Sequence, residues 1–128
     1  MAYSILIIGR DASLRSELES TLHQAGFTVA SMPDYSETLF KQNGLKANLI
    51  IIDETLPSEE TVETCYQLRN TFGIPVVLLG TDSSDEAWHR VMQADADLYL
   101  LKPIRHRELT ARVKAILRRY YKVSGRGI

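Results

Sequence analysis

Short, unbroken apolar runs separated by amphipathic stretches are what most constrain this chain. Residues 5–8, 49–52 and 76–79 are continuous apolar segments rich in isoleucine and valine. A strand with one wet face alternates apolar and polar residues. A continuous run suits a strand covered on both faces, as in a parallel sheet. Residues 27–31 and 98–101 read as two further strands. Between them lie helical patterns. Leu14, Leu18 and Leu22 recur at spacing four and Gly26 closes that helix. Asp34 can cap a helix over 35–42 that ends at Asn43 and Gly44. Pro57 and Ser58 open a third helix running to Phe72, with Gly73 as its stop. Ser83 or Ser84 starts a fourth, lasting to about Ala94. A long last helix shows Leu109, Val113, Ile116, Leu117 and Tyr120 on one face. Five strands alternating with five helices predict an α/β three-layer sandwich around a parallel sheet.

The 128 residues suit one domain with a real core. The expected domain covers 1–122, and 123–128, with two glycines, reads as a tail or the start of a linker. A net charge of -1 gives no overall pull toward nucleic acid or membrane. The single cysteine, Cys65, cannot form an internal disulfide, which points to a reducing compartment. No apolar run approaches the ~20 residues that span a bilayer. The first residues lack the basic start of a signal peptide. The expected location is therefore cytoplasmic.

In such sheets chemistry sits at the carboxyl ends of the strands. The residues there are Gly9, Arg10 and Asp11 after the first strand, Asp53, Glu54 and Thr55 after the third, Gly80, Thr81 and Asp82 after the fourth, and Lys102 and Pro103 after the fifth. The topology makes Asp53 and Lys102 face each other. A carboxylate there can act as a nucleophile toward a phosphoryl group. A lysine beside it can neutralise phosphate oxygens as a point charge.

Three segments carry a family resemblance. Residues 48–57, around Asp53 and ending in Leu56 and Pro57, resemble the phosphoacceptor motif of response-regulator receiver domains. Residues 74–81 resemble that family's fourth strand and switch segment. Residues 96–103 resemble its fifth strand and Lys-Pro pair. The likeness covers about residues 4–121, and the last helix is similar to that of the OmpR/PhoB winged-helix subclass. The resemblance implies a CheY-like, flavodoxin-like (β/α)5 fold that is not an enzyme in its own right. It implies Asp53 as phospho-acceptor, Lys102 at the phosphate, Tyr99 as the aromatic switch residue, and a sensor histidine kinase as partner.

The departures from that pattern are chemical. Receivers carry two acidic residues after the first strand, which hold a divalent cation together with the acceptor. Here those positions are Gly9 and Arg10, and Asp11 follows one place later. Magnesium requires several oxygen ligands in near-octahedral array. Asp11, Asp53 and Thr55 are the weak candidates that remain, so magnesium binding is expected to be weak or absent. Arg10 is expected to pair with Asp53 as a fixed positive charge in the metal's place. Gly80 stands where the family has a Thr or Ser hydroxyl, and Thr81 where it has a small residue. Asp95 replaces a helix-ending glycine.

These departures favour an atypical receiver, or pseudo-receiver, working through dimer or partner contacts. The alternative is a working receiver phosphorylated at Asp53. An aspartate-nucleophile phosphatase would need a second acid where Thr55 stands, and a flavin protein would need a different loop after the first strand. Acidic residues around the fourth helix, Asp97 among them, face a basic last segment that includes Arg112 and Arg118. Such patches pair reciprocally across a two-fold axis. Trp88 is the candidate apolar anchor of a homodimer through the fourth helix, fifth strand and fifth helix. DNA is expected to be reached only through a separate effector domain. His23, His89 and His106 lack metal-ligand spacing, and Cys65 reads as packing.

Overall fold

The computed structural model describes residues 2–36, 46–53 and 58–125, with side chains described up to 121. The continuous apolar runs form strands as expected. They are β1 (Ser4–Ile8), β2 (Thr28–Met32), β3 (Leu49–Asp53), β4 (Val76–Gly80) and β5 (Leu98–Leu101). All five pair in parallel in the order β2-β1-β3-β4-β5. The order reverses between β1 and β3, so the crevice above those two strand ends is the switch point where ligands bind in open α/β sheets.

Four helices lie among the described residues: α1 (Ala12–Gln24), α2 (Glu59–Asn70), α3 (Asp85–Ala94) and α4 (His106–Gly125). The helix expected over 35–42 falls largely outside the described residues. Side-chain caps explain the starts. Asp11 accepts from the Leu14 N–H, Ser58 from Thr61 and Ser84 from Ala87, so Ser84 rather than Ser83 begins α3. Gly26, at φ +100, ends α1 as expected. Asp95 closes α3 in the left-handed region at φ 60 and ψ 36, the conformation for which the family uses glycine. The helix α4 runs past the expected domain edge at 122 to Gly125, because no breaker precedes that glycine.

The sheet has a core on each face. One packs Leu6, Ile50, Val76 and Leu78 with Cys65 and Leu68 of α2 and with Val91 and Ala94 of α3. The other packs Ile5, Ile7, Ile51 and Val77 with Leu18 and Leu22 of α1 and with Leu109, Val113 and Leu117 of α4. Both faces of the central strands are therefore covered, which is why those strands carry no polar alternation.

Candidate functional site

Asp53 is the last residue of β3, and its side chain is 7% exposed. Lys102 follows β5, and its backbone N–H extends the ladder onto the carbonyl of Gly80 at 2.8 Å. Its side chain spans the end of β4, and Nζ lies 2.5 Å from Asp53 Oδ1. The contact has the distance of an ion pair without the angles of a hydrogen bond, and the buried Oδ1 accepts no hydrogen bond from any other group. The peptide bond between Lys102 and Pro103 is cis. The pairing of carboxylate and ammonium expected from the strand ends is thus present.

The expected partner for Arg10 is not. Its Nε lies 2.6 Å from Asp34 Oδ1, and its side chain is 86% exposed. Lys102, expected there, is the cation that faces Asp53, and Arg10 does not join it. The reason is topological: Lys102 leaves a strand of the same sheet pointing at the crevice, whereas Arg10 starts the loop after β1 and lies next to the end of β2. A second arginine holds that loop, with Arg15 Nη1 donating to the Gly9 carbonyl at 2.6 Å.

An open cleft of about 650 Å³ lies over these groups, lined by Gly9, Arg10, Asp11, Asp34, Asp53 and Lys102, among others. The three aspartates in it already have partners. Asp11 caps α1, Asp34 holds Arg10 and Asp53 faces Lys102. No group of three His, Cys, Asp or Glu side chains among the described residues could hold a metal ion. The described residues alone do not assemble the set of oxygen ligands that a magnesium ion requires. Thr55 lies outside the described residues.

The other switch positions divide. Gly80 is buried at the end of β4 and Thr81 is exposed. Thr81 is not among the residues lining the cleft. Tyr99 is buried, its hydroxyl donates to the Asp82 carbonyl at 2.7 Å, and Trp88 meets its ring edge-on at 4.9 Å. Burial pushes the Tyr99 hydroxyl above its ordinary pKa. The ring is therefore tethered in the core, with its hydroxyl tied to the loop after β4.

A second polar cluster, which no sequence motif announces, lies at the opposite end of the sheet. Asp97, just before β5, is 12% exposed. Its Oδ2 accepts from the Val76 N–H at 2.8 Å and lies 2.9 Å from Arg69 Nε as an ion pair, and its Oδ1 accepts from the Tyr120 hydroxyl at 3.0 Å. The Arg69 guanidinium lies 5.5 Å from the Tyr120 ring centroid. Asp97 was expected at a dimer interface. It is held inside the chain instead, because an unpaired backbone donor at the start of β4 needs a buried acceptor. Burial, then the bond to Asp97, pushes Tyr120 up to about 12. Burial, reinforced by the charge on Asp97, pushes Cys65 up to about 12, so its thiol is an inert packing group. His106 bridges α4 to α1 through Glu17 at 2.6 Å and Thr21 at 3.1 Å.

A doubly wound sheet with a carboxylate and a lysine facing across its switch point defines a receiver-type α/β protein. Comparison with known proteins agrees. The sequence profile of the response regulator receiver domain matches residues 5–114, and the chain belongs to that family. It is 36% identical over 121 residues to the DNA-binding response regulator MtrA of Mycobacterium tuberculosis, a match covering 93% of this chain and 52% of that protein. The chain thus spans about half the length of the curated relatives it matches. The CheY-like receiver domain protein of Methanospirillum hungatei superposes with a TM-score of 0.82 at 25% identity, covering 95% of this chain and 98% of the other. The OmpR/PhoB homologue DrrB of Thermotoga maritima superposes with a TM-score of 0.76 at 28% identity, covering 93% of this chain and 54% of that one.

Proposed function

We propose that this chain is an atypical receiver of a two-component response regulator, in which metal-dependent phosphorylation of Asp53 is weak or absent and signalling runs through contacts with partners. The observation that carries this reading is the composition of the cleft. Gly9 and the outward-turned Arg10 stand at the two acidic positions, and Asp11, Asp34 and Asp53 each already have a partner within the chain. Phosphoryl transfer is accelerated chiefly by positive charge placed where the transferring oxygens lie. Lys102 can supply part of that charge. The cation that would supply the rest has no set of ligands among the described residues.

One observation favours the second reading, a working phospho-acceptor. Asp53 and Lys102 keep the paired geometry that such a site needs, beneath an open cleft. Incubation with acetyl phosphate and magnesium, read by intact mass with Asp53→Asn as control, separates the two. We expect little modification. Stoichiometric labelling that depends on Asp53 overturns the atypical reading.

A sensor histidine kinase, a cytoplasmic setting and control of transcription through a separate DNA-binding domain are part of the proposal. The likeness to the DNA-binding response regulator MtrA and to the OmpR/PhoB homologue DrrB supports it. A homodimer through α3, β5 and α4 also belongs to it. Trp88 and Met92 on α3 and Leu101 on β5 are exposed apolar groups, and Arg112 and Arg118 are exposed on α4. Asp97 no longer contributes to that surface. Gel filtration at rising concentration and salt is expected to show a dimer that weakens with salt; a monomer under all conditions sinks this part.

A further inference from the structure

We propose that Gly9 is a positioning residue for Asp53: its missing Cβ lets the ends of β1 and β3 close together and seats the Asp53 carboxylate against Lys102. The inference rests on the reading of Asp53 as the site residue and deepens it. A Cβ built on Gly9 would lie 2.8 Å from Asp53 Cβ, 3.4 Å from Oδ2 and 3.6 Å from Cγ. The shortest contact is to an atom fixed by the backbone, so no rotation of the Asp53 side chain relieves it. The glycine is not required by backbone conformation, because the glycines described with positive φ are Gly26 and Gly73. Its role at residue 9 is therefore steric.

The two backbones have little freedom to part. The Gly9 N–H donates to the Met32 carbonyl at 3.1 Å, and its own carbonyl accepts from Arg15 at 2.6 Å. Asp53 is held in register opposite Leu79 of β4. Any side chain at residue 9 must push β3 and its carboxylate away, or pull β1 out of its bonds. The altered residues after β1 therefore do two things. They remove an acid, and they close the space that the acid would occupy. An aspartate restored at residue 9 would meet the same clash through its own Cβ.

The first test needs no variant. NMR of the wild-type chain is expected to show strong NOEs between the Gly9 Hα protons and the Asp53 Hβ protons, and their absence overturns the proposal. The second is a double-mutant comparison. Gly9→Ala is expected to lower Tm by roughly 5 °C, while the same change made beside Asp53→Gly costs little, because the atom it strikes is gone. Additive losses overturn the proposal. If Gly9→Ala alone does not fold, recovery of a folded chain in the Gly9→Ala/Asp53→Gly pair supports it, and failure to recover overturns it. The third readout separates positioning from mere packing. In a folded Gly9→Ala chain the Lys102 15Nζ resonance is expected to move toward that of a solvated lysine, and an unmoved resonance overturns the proposal. None of these readouts requires phosphorylation. Labelling of the same variants with acetyl phosphate bears on the phospho-acceptor question alone, so the two ideas fail separately.

Discussion

Two carboxylates sit at opposite ends of the same sheet, and they are treated differently. Asp97 is 12% exposed and receives a backbone N–H, a tyrosine hydroxyl and a guanidinium. Asp53 is 7% exposed and meets one ammonium, through an oxygen that accepts no hydrogen bond among the described residues. Buried polar atoms are ordinarily satisfied, and a buried exception calls for an explanation. The saturated carboxylate ties β4, α2 and α4 together. The under-satisfied one faces the cleft at the switch point. The contrast separates a carboxylate tied into three elements of the fold from one that meets a single cation at the cleft.

Removing the two should therefore cost very different amounts. Breaking a buried, hydrogen-bonded ion pair costs about 3–5 kcal/mol, because the surviving charge and donors lose their acceptor. Arg69 is 21% exposed and can partly reach water, which favours the low end. We expect Asp97→Ala to lose about 3 kcal/mol in urea unfolding, and Asp53→Ala to change stability by about 1 kcal/mol or less. Equal losses at the two sites would erase the distinction.

The Asp97 end should also dominate the alkaline behaviour. Cys65 and Tyr120 both hold their protons more tightly in the folded chain, each up to about 12. The ordinary values are 9.0 for the cysteine and 10.0 for the tyrosine. Between those values and 12 the folded state binds more protons than the unfolded state, so stability falls as pH rises. Below pH 9 this contribution is fully present. Urea midpoints measured from pH 8 to 11 should decline in the wild type and decline less in Cys65→Ala/Tyr120→Phe. Part of the slope persists because burial also raises Tyr99 and Tyr121. Asp97→Asn should flatten the profile as well, since its charge raises both groups. A Cys65→Ala/Tyr120→Phe profile as steep as the wild type's would place the alkaline limb elsewhere.

The sheet and the Asp53–Lys102 pair were legible in the sequence for a physical reason. Continuous apolar runs report burial on both faces, and residues at strand ends inherit their place from the topology. Capping was legible at Ser84 and in Gly26, where local chemistry decides. What depended on side-chain reach was not. Arg10 looked like a substitute cation because it sits beside the acceptor in the family alignment, yet the nearer acid is Asp34. Asp97 looked like a surface acid because acidic residues cluster near it in sequence, while its partners Arg69, Val76 and Tyr120 come from three other places in the chain. The Gly9–Asp53 approach left only a glycine as its sign, and a glycine after a strand has many causes.

Two arginines offer the finest version of the comparison. Arg69 is 21% exposed, donates to the Asp95 carbonyl, pairs with Asp97, and lies against Tyr120. Arg10 is 86% exposed and pairs with Asp34, itself largely in solvent. An exposed ion pair contributes about 0–1 kcal/mol, because solvent screens it and two mobile side chains must be held in place. Arg10→Ala is therefore expected to alter stability by less than about 0.5 kcal/mol. Its effect should appear in the cleft instead. Arg10→Asp removes a positive charge from the rim and adds a carboxylate beside Asp11, and so should raise magnesium affinity measurably in a calorimetric titration. The gain should stay small while Gly9 keeps β1 and β3 closed over Asp53. If Arg10→Asp alone restored tight magnesium binding, the charge at residue 10 would be the whole obstacle, and the closure of the strands at Gly9 would have no part in it.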